Sequence, residues 1–212
     1  MNRGLLVIGA ILLFLAGLFV YYGWVMLDSA TTGSTSSSRL PENKLWEVPD
    51  FELTNCNGTT VTRTDLQGKV WVAAFIFTRC PGPCPLITQR MVEIQNALDA
   101  ESDARLVSFT IDPAYDQPDV LLKYAETWKA DSNRWYFLTS EDEDTVQDLT
   151  QALRVAAYRE GTDASGVPNI THGTNLLLID QSGWVRGIYS TEDPEVCSQV
   201  VAGINWLRDN RD

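Results

Sequence analysis

The uninterrupted apolar run from Val70 to Phe77 constrains this chain more than any other feature. A strand with one wet face alternates apolar and polar residues, whereas a run that is apolar throughout belongs inside a sheet covered on both faces. Helices must supply that cover, which predicts an α/β domain. The run leads into Phe77-Thr78-Arg79-Cys80-Pro81-Gly82-Pro83-Cys84-Pro85, so two thiols stand at a strand-to-helix turn. Pro85 suits a first helical turn, and Leu86, Met91, Ile94 and Leu98 form the apolar stripe of a helix reaching Ala100.

Upstream, Leu45 to Leu53, the turn Cys56-Asn57-Gly58-Thr59 and Val61 to Thr64 predict an N-terminal β-hairpin, because Asn-Gly favours the turn that matches strand twist. Downstream, the pattern predicts a strand over Arg105 to Ile111, a helix over Pro118 to Lys129, a strand over Trp135 to Thr139 and a helix over Glu141 to Leu153. A strand over Thr174 to Asp180, its antiparallel partner Trp184 to Tyr189 and a last helix over Pro194 to Arg208 follow. This order describes one open α/β sheet over residues 45–212. Right-handed crossovers place the Cys80 turn and the loop carrying His172, the only histidine of the chain, at one end of it. Trp71, Trp128, Trp135, Trp184 and Trp206 fall on these elements and are expected to pack the core.

The N-terminal part reads differently. Gly4 to Leu27 carry no charge, and as a helix they extend about 36 Å, more than the hydrocarbon thickness of a bilayer. Residues 1–27 are therefore expected to form a single transmembrane anchor, with Tyr21, Tyr22 and Trp24 at one interface and Arg3 on the cytoplasmic side. The alternative, a cleaved signal peptide, usually has a shorter apolar region, and either exports the rest of the chain. Residues 28–44, rich in Ser and Thr, cannot bury enough apolar surface to fold and are expected to act as a flexible tether. Together they are expected to place the globular domain on the extracytoplasmic side of the cell membrane. A formal charge of −12 without a basic cluster excludes nucleic acid as a partner.

In a Cys-x-x-x-Cys turn the second thiol sits at the N-terminal end of the helix, where free N–H groups and the dipole favour a thiolate, and Arg79 is expected to add positive charge. Two such sulfurs either bind a metal or form a disulfide, and the spacing allows both. Two soft sulfurs and the His172 imidazole suit copper(I), which accepts low coordination numbers. Structural zinc normally asks for four ligands, though a carboxylate or water would complete its shell. Cys56 and Cys197 lie outside the motif, and the sequence leaves open whether they pair in a disulfide.

Three blocks resemble the Sco/SenC family, membrane-tethered thioredoxin-like proteins that help assemble the copper centre of cytochrome c oxidase. They are Phe77 to Pro85; Phe109-Thr110-Ile111-Asp112-Pro113-Ala114-Tyr115-Asp116-Gln117-Pro118 with Leu121, Tyr124 and Ala125; and Thr171-His172-Gly173-Thr174 running into Leu176 to Asp180. The resemblance implies a thioredoxin-like fold and copper ligation by Cys80, Cys84 and His172. It also implies copper delivery to the copper-bearing oxidase subunit or, alternatively, thiol-disulfide oxidoreductase action on that subunit's cysteines through a redox-active Cys80/Cys84 pair. The chain departs from the family pattern at Gly82 and Pro83, where an acidic and an aliphatic residue are usual, and at Thr171, where an Asp commonly precedes the His. Asp112 and Asp116 are expected to make local turns around Pro113 and Pro118, with Asp116 a candidate helix cap.

Overall fold

The computed structural model describes residues 15–22, 42–163 and 166–211, without the side chains of Tyr158, Arg159, Thr171 and His172. The chain divides into two units, Met1–Ser38 and Arg39–Asp212. In the first, residues 15–22 are helical (α1). The rest of the anchor expected over residues 1–27, and most of the tether over 28–44, lie outside the described residues. Among those that are described, no helix is long and apolar enough to cross a membrane.

The second unit is built on an eight-stranded sheet: β1 (Trp46–Glu47), β2 (Glu52–Asn55), β3 (Thr60–Thr62), β4 (Trp71–Ile76), β5 (Arg105–Thr110), β6 (Trp135–Thr139), β9 (Asn175–Ile179) and β10 (Trp184–Ser190). Their order is β1-β10-β9-β4-β5-β6-β2-β3. The helices are α2 (Cys84–Ala97), α3 (Pro118–Thr127), α4 (Glu143–Ala152) and α5 (Val196–Asp209). All six residues of β4 are buried, as its apolar run requires. Parallel pairing of β4 with β5 and of β5 with β6 makes α2 and α3 the crossovers, while β9 lies antiparallel on the other side of β4. Trp71, Phe75 and Phe109 pack in one aromatic group and Trp135 stacks on Phe137, so the largest core side chains gather around β4, β5 and β6.

The expected N-terminal hairpin is present as β2 and β3, with Gly58 at a φ of 82° in its turn, a conformation open to glycine without strain. The segment from Leu45 to Leu53 is not one strand, however. It divides around Pro49, which cannot donate to a ladder, into β1 at one edge of the sheet and β2 beyond β6 toward the other. Trp71 and Trp135 are fully buried as expected, whereas Trp128, Trp184 and Trp206 are only partly so.

A second sheet was not foreseen. β7 (Ala157–Thr162) and β8 (Pro168–His172) pair only with each other among the described strands, in an antiparallel hairpin with an irregular register. His172 is the last residue of β8, opposite Ala157, so it ends a strand where the sequence suggested a loop.

Candidate metal centre

The cysteine turn begins where β4 runs out. The Cys80 amide bonds the Phe77 carbonyl at 3.2 Å, and the Gly82 amide points at the Cys80 sulfur at 3.3 Å. Pro81 and Pro83 offer no backbone donor to that sulfur. Cys84 is the first residue of α2 and is buried, and its sulfur accepts the Phe77 amide at 3.4 Å. Cys80 is half-buried.

The Cys84 thiol hydrogen-bonds the Cys80 sulfur. That bond, followed by burial and by the charges of Cys80 and Asp116, holds its pKa well above the ordinary thiol range. The sequence expectation of a Cys84 thiolate favoured by the helix N-terminus is therefore corrected: two adjacent sulfurs in a buried site resist carrying two negative charges. All four cysteines are thiols.

The residues supporting this turn come from the second sequence block, and their role exceeds local turn formation. Asp112 and Asp116 are both fully buried. Asp116 accepts the Thr78 amide at 3.0 Å, the Thr78 hydroxyl, and the Thr110 hydroxyl at 2.6 Å. Burial raises its pKa despite those bonds. It does not cap α3, whose N-cap is Gln117. Asp112 receives the Arg79 Nε at 2.8 Å, and the Arg79 guanidinium lies 4.2 Å from the centre of the Tyr115 ring. The positive charge expected to favour a thiolate is instead engaged by a buried carboxylate. Sequence reasoning missed this because the partners stand 33 and 38 positions apart. Two buried acids following a central strand were the available signal.

Opposite the cysteines stands the β7–β8 hairpin. A cleft of about 300 Å³ is lined on one side by Phe77 and residues 80–83, and on the other by Glu160, Thr162, Asp163 and residues 167–170. The Arg79 Nη1 donates to the Gly166 carbonyl at 3.1 Å across this boundary. The hairpin that carries His172 thus faces the cysteine turn through Glu160, Thr162, Asp163 and residues 167–170, while the imidazole lies outside the described side chains. Among the described residues no three His, Cys, Asp or Glu side chains converge as a ligand set. Cys80 and Cys84 offer two adjoining soft donors, one of them open to a cleft, which fits a thiophilic cation.

Cys56 and Cys197 do not pair. Cys56 follows β2, its amide bonded to the Phe137 carbonyl at 2.9 Å, and burial raises its pKa. Cys197 sits on α5 and donates to Glu93 Oε2 of α2 at 3.0 Å; burial and that carboxylate push it up to about 12.

Comparison with known proteins agrees with this architecture. Residues 41–207 match the SCO1/SenC family. A SCO1 protein homolog of Bacillus subtilis is 32% identical over 162 residues, covering 73% of this chain and 81% of that protein. The structure of BsSco, a member of the Sco family of cytochrome c oxidase assembly proteins in which a disulfide switch was identified, superposes with a TM-score of 0.69. It is 27% identical and covers 78% of this chain and 96% of that one. Copper-bound ScoI of Bradyrhizobium japonicum superposes with a TM-score of 0.66 over 77% of this chain and 99% of its own, and at 22% identity it speaks for the fold. With a mixed α/β thioredoxin-like architecture and a match over most of its length, the chain belongs to the SCO1/SenC family.

Proposed function

We propose that this protein carries copper for the assembly of cytochrome c oxidase, binding it through Cys80, Cys84 and His172 and passing it to the copper-bearing subunit by ligand exchange. In this reading residues 1–27 anchor the protein as a single-pass helix, residues 28–44 form a tether, and the domain works on the extracytoplasmic side of the cell membrane. The observation that carries it is the adjoining Cys80 and Cys84 thiols beside a cleft whose far wall is the hairpin ending in His172. The raised Cys84 pKa sets a cost on this reading: copper must displace the Cys84 proton to bind that sulfur, so uptake is coupled to proton release. The test is metal analysis of protein purified under reducing conditions from copper-supplemented cells. Copper content should drop in Cys80→Ala, Cys84→Ala and His172→Ala; equal content in all four proteins removes the reading.

A second reading is thiol-disulfide exchange, favoured by the half-exposed Cys80 beside a hydrogen-bonded second thiol. The Cys80 sulfur would attack a disulfide of the partner, and Cys84 would then displace the partner's thiol. The pair is oxidised by two electrons, and the partner leaves as a dithiol. Here Cys80→Ser and Cys84→Ser abolish exchange while His172→Ala leaves it intact; exchange that survives both serine variants excludes it.

A further inference from the structure

We propose that Arg79 is a positioning residue, a latch that holds the β7–β8 hairpin against the cysteine turn and thereby sets how long a bound metal keeps its third ligand. This rests on the reading of His172 as a ligand given above.

Among the described strands the two of the hairpin pair only with each other, so side-chain packing, with Val167 and Ile170 against the core, holds it to the domain in place of a ladder. Space flanks it on both sides: the 300 Å³ cleft toward the cysteines, and a cavity of about 420 Å³ where Ala157 and Ile170 face Ile111 and Val146. Its own turn is braced internally, with Asp163 accepting the Gly166 and Val167 amides at 3.0 and 2.9 Å, so it can move as a unit.

Arg79 is built to hold it. Three features of one guanidinium engage two segments: in the turn after β5, Nε meets the buried Asp112 at 2.8 Å and the planar face covers Tyr115 at 4.2 Å, while Nη1 reaches the Gly166 carbonyl of the hairpin at 3.1 Å. Asp112 and Tyr115 fix the fork in orientation, which leaves Nη1 aimed at the hairpin turn. The residue is also next to Cys80 in the chain, so any movement of the turn is transmitted to the sulfur. Lysine, a point charge on a flexible stem, can face Asp112 but cannot reach Gly166 in the same pose.

The experiment measures amide hydrogen exchange of the metal-free, reduced full chain for wild type, Arg79→Gln and Arg79→Lys, followed by the rate at which a chelator removes Cu(I) from each, with His172→Ala alongside. Losing one charge-assisted hydrogen bond should speed exchange across residues 157–172 about tenfold, with the amides of β4 and β5 unchanged, and should speed Cu(I) loss by a similar factor. The lysine variant keeps a cation beside Asp112, so it reports on the hairpin even where the glutamine variant loosens the whole core. Unchanged hairpin exchange in both variants overturns the latch. Faster exchange with Cu(I) loss equal in wild type and His172→Ala supports the latch and refutes His172 as the ligand. Faster exchange with Cu(I) loss altered by His172→Ala but not by the Arg79 variants overturns the coupling of latch to metal.

Discussion

Removing the Asp116 carboxylate should be among the most costly changes near the site. The residue is fully buried and receives three hydrogen bonds: the Thr78 amide, the Thr78 hydroxyl and the Thr110 hydroxyl. In Asp116→Ala the Thr78 amide loses its acceptor, at about 1–3 kcal/mol, and the buried Thr110 hydroxyl loses its own, at a similar cost. The Thr78 hydroxyl can turn to solvent. A total of about 2–6 kcal/mol follows; with a urea m-value of about 2 kcal/mol/M, the midpoint should fall by roughly 1–3 M. The pH dependence gives a second check with a defined sign. Burial raises the folded-state pKa of Asp116 above its ordinary 3.8, so the folded form holds its proton more tightly than the unfolded one. The associated stability is fully present below that ordinary value and is lost as pH rises through the folded value. Asp116→Asn cannot titrate, so wild type should gain on it as the solution is acidified through that window. Urea unfolding followed by tryptophan fluorescence at several pH values measures both effects. An alanine variant within 0.5 kcal/mol of wild type, or a wild-type advantage over Asn that shrinks on acidification, would refute the assignment of Asp116 as the buried support of the cysteine turn.

Other expectations follow from the same contacts. Cys197, pushed up to about 12 by burial and Glu93, should react with iodoacetamide at pH 8 at least a hundredfold more slowly than a model peptide thiol, and Glu93→Gln should speed it; mass spectrometry of the labelled chain decides, and a rate within threefold of the peptide contradicts the contact. Asp180 and Arg186 form a buried ion pair at 2.8 Å, so Asp180→Ala should cost about 3–5 kcal/mol in chemical denaturation, and adding Arg186→Leu should recover part of that loss; strictly additive costs would exclude the coupling. If Cys84 ligates copper as proposed, its raised pKa requires uptake to expel a proton at neutral pH. Affinity for Cu(I) should therefore fall steadily on acidification, and a flat profile between pH 6 and 8 in a competition titration would contradict it.

What the sequence discloses and what it conceals divide along a physical line. β4 was legible because a strand buried on both faces leaves a continuous apolar run, and the Asn57-Gly58 turn because few residue pairs tolerate its backbone. The hairpin of β7 and β8 was not. Tyr158-Arg159-Glu160-Gly161-Thr162 contains two charged residues and a glycine, and its ladder forms with a neighbour that is no more apolar, so neither strand leaves a periodic trace. The ion pair of Arg79 with Asp112 was hidden for another reason: partners are invisible in a one-dimensional pattern until topology brings β4 and β5 side by side.

That hidden pairing changes what the cysteine turn can do. Read along the chain, Cys80 and Cys84 have an arginine and a helix N-terminus for neighbours, a setting that favours a thiolate and nucleophilic chemistry. Folded, the arginine faces Asp112, and Asp116 lies close enough for its charge to raise the Cys84 pKa. That charge opposes an uncomplexed Cys84 thiolate, with the Cys80 sulfur and burial contributing more. Replacing Asp116 by Asn should therefore lower the Cys84 pKa by a small step, and alkylation of Cys84 as a function of pH, followed by mass spectrometry, measures it; an unchanged profile refutes the contribution of Asp116.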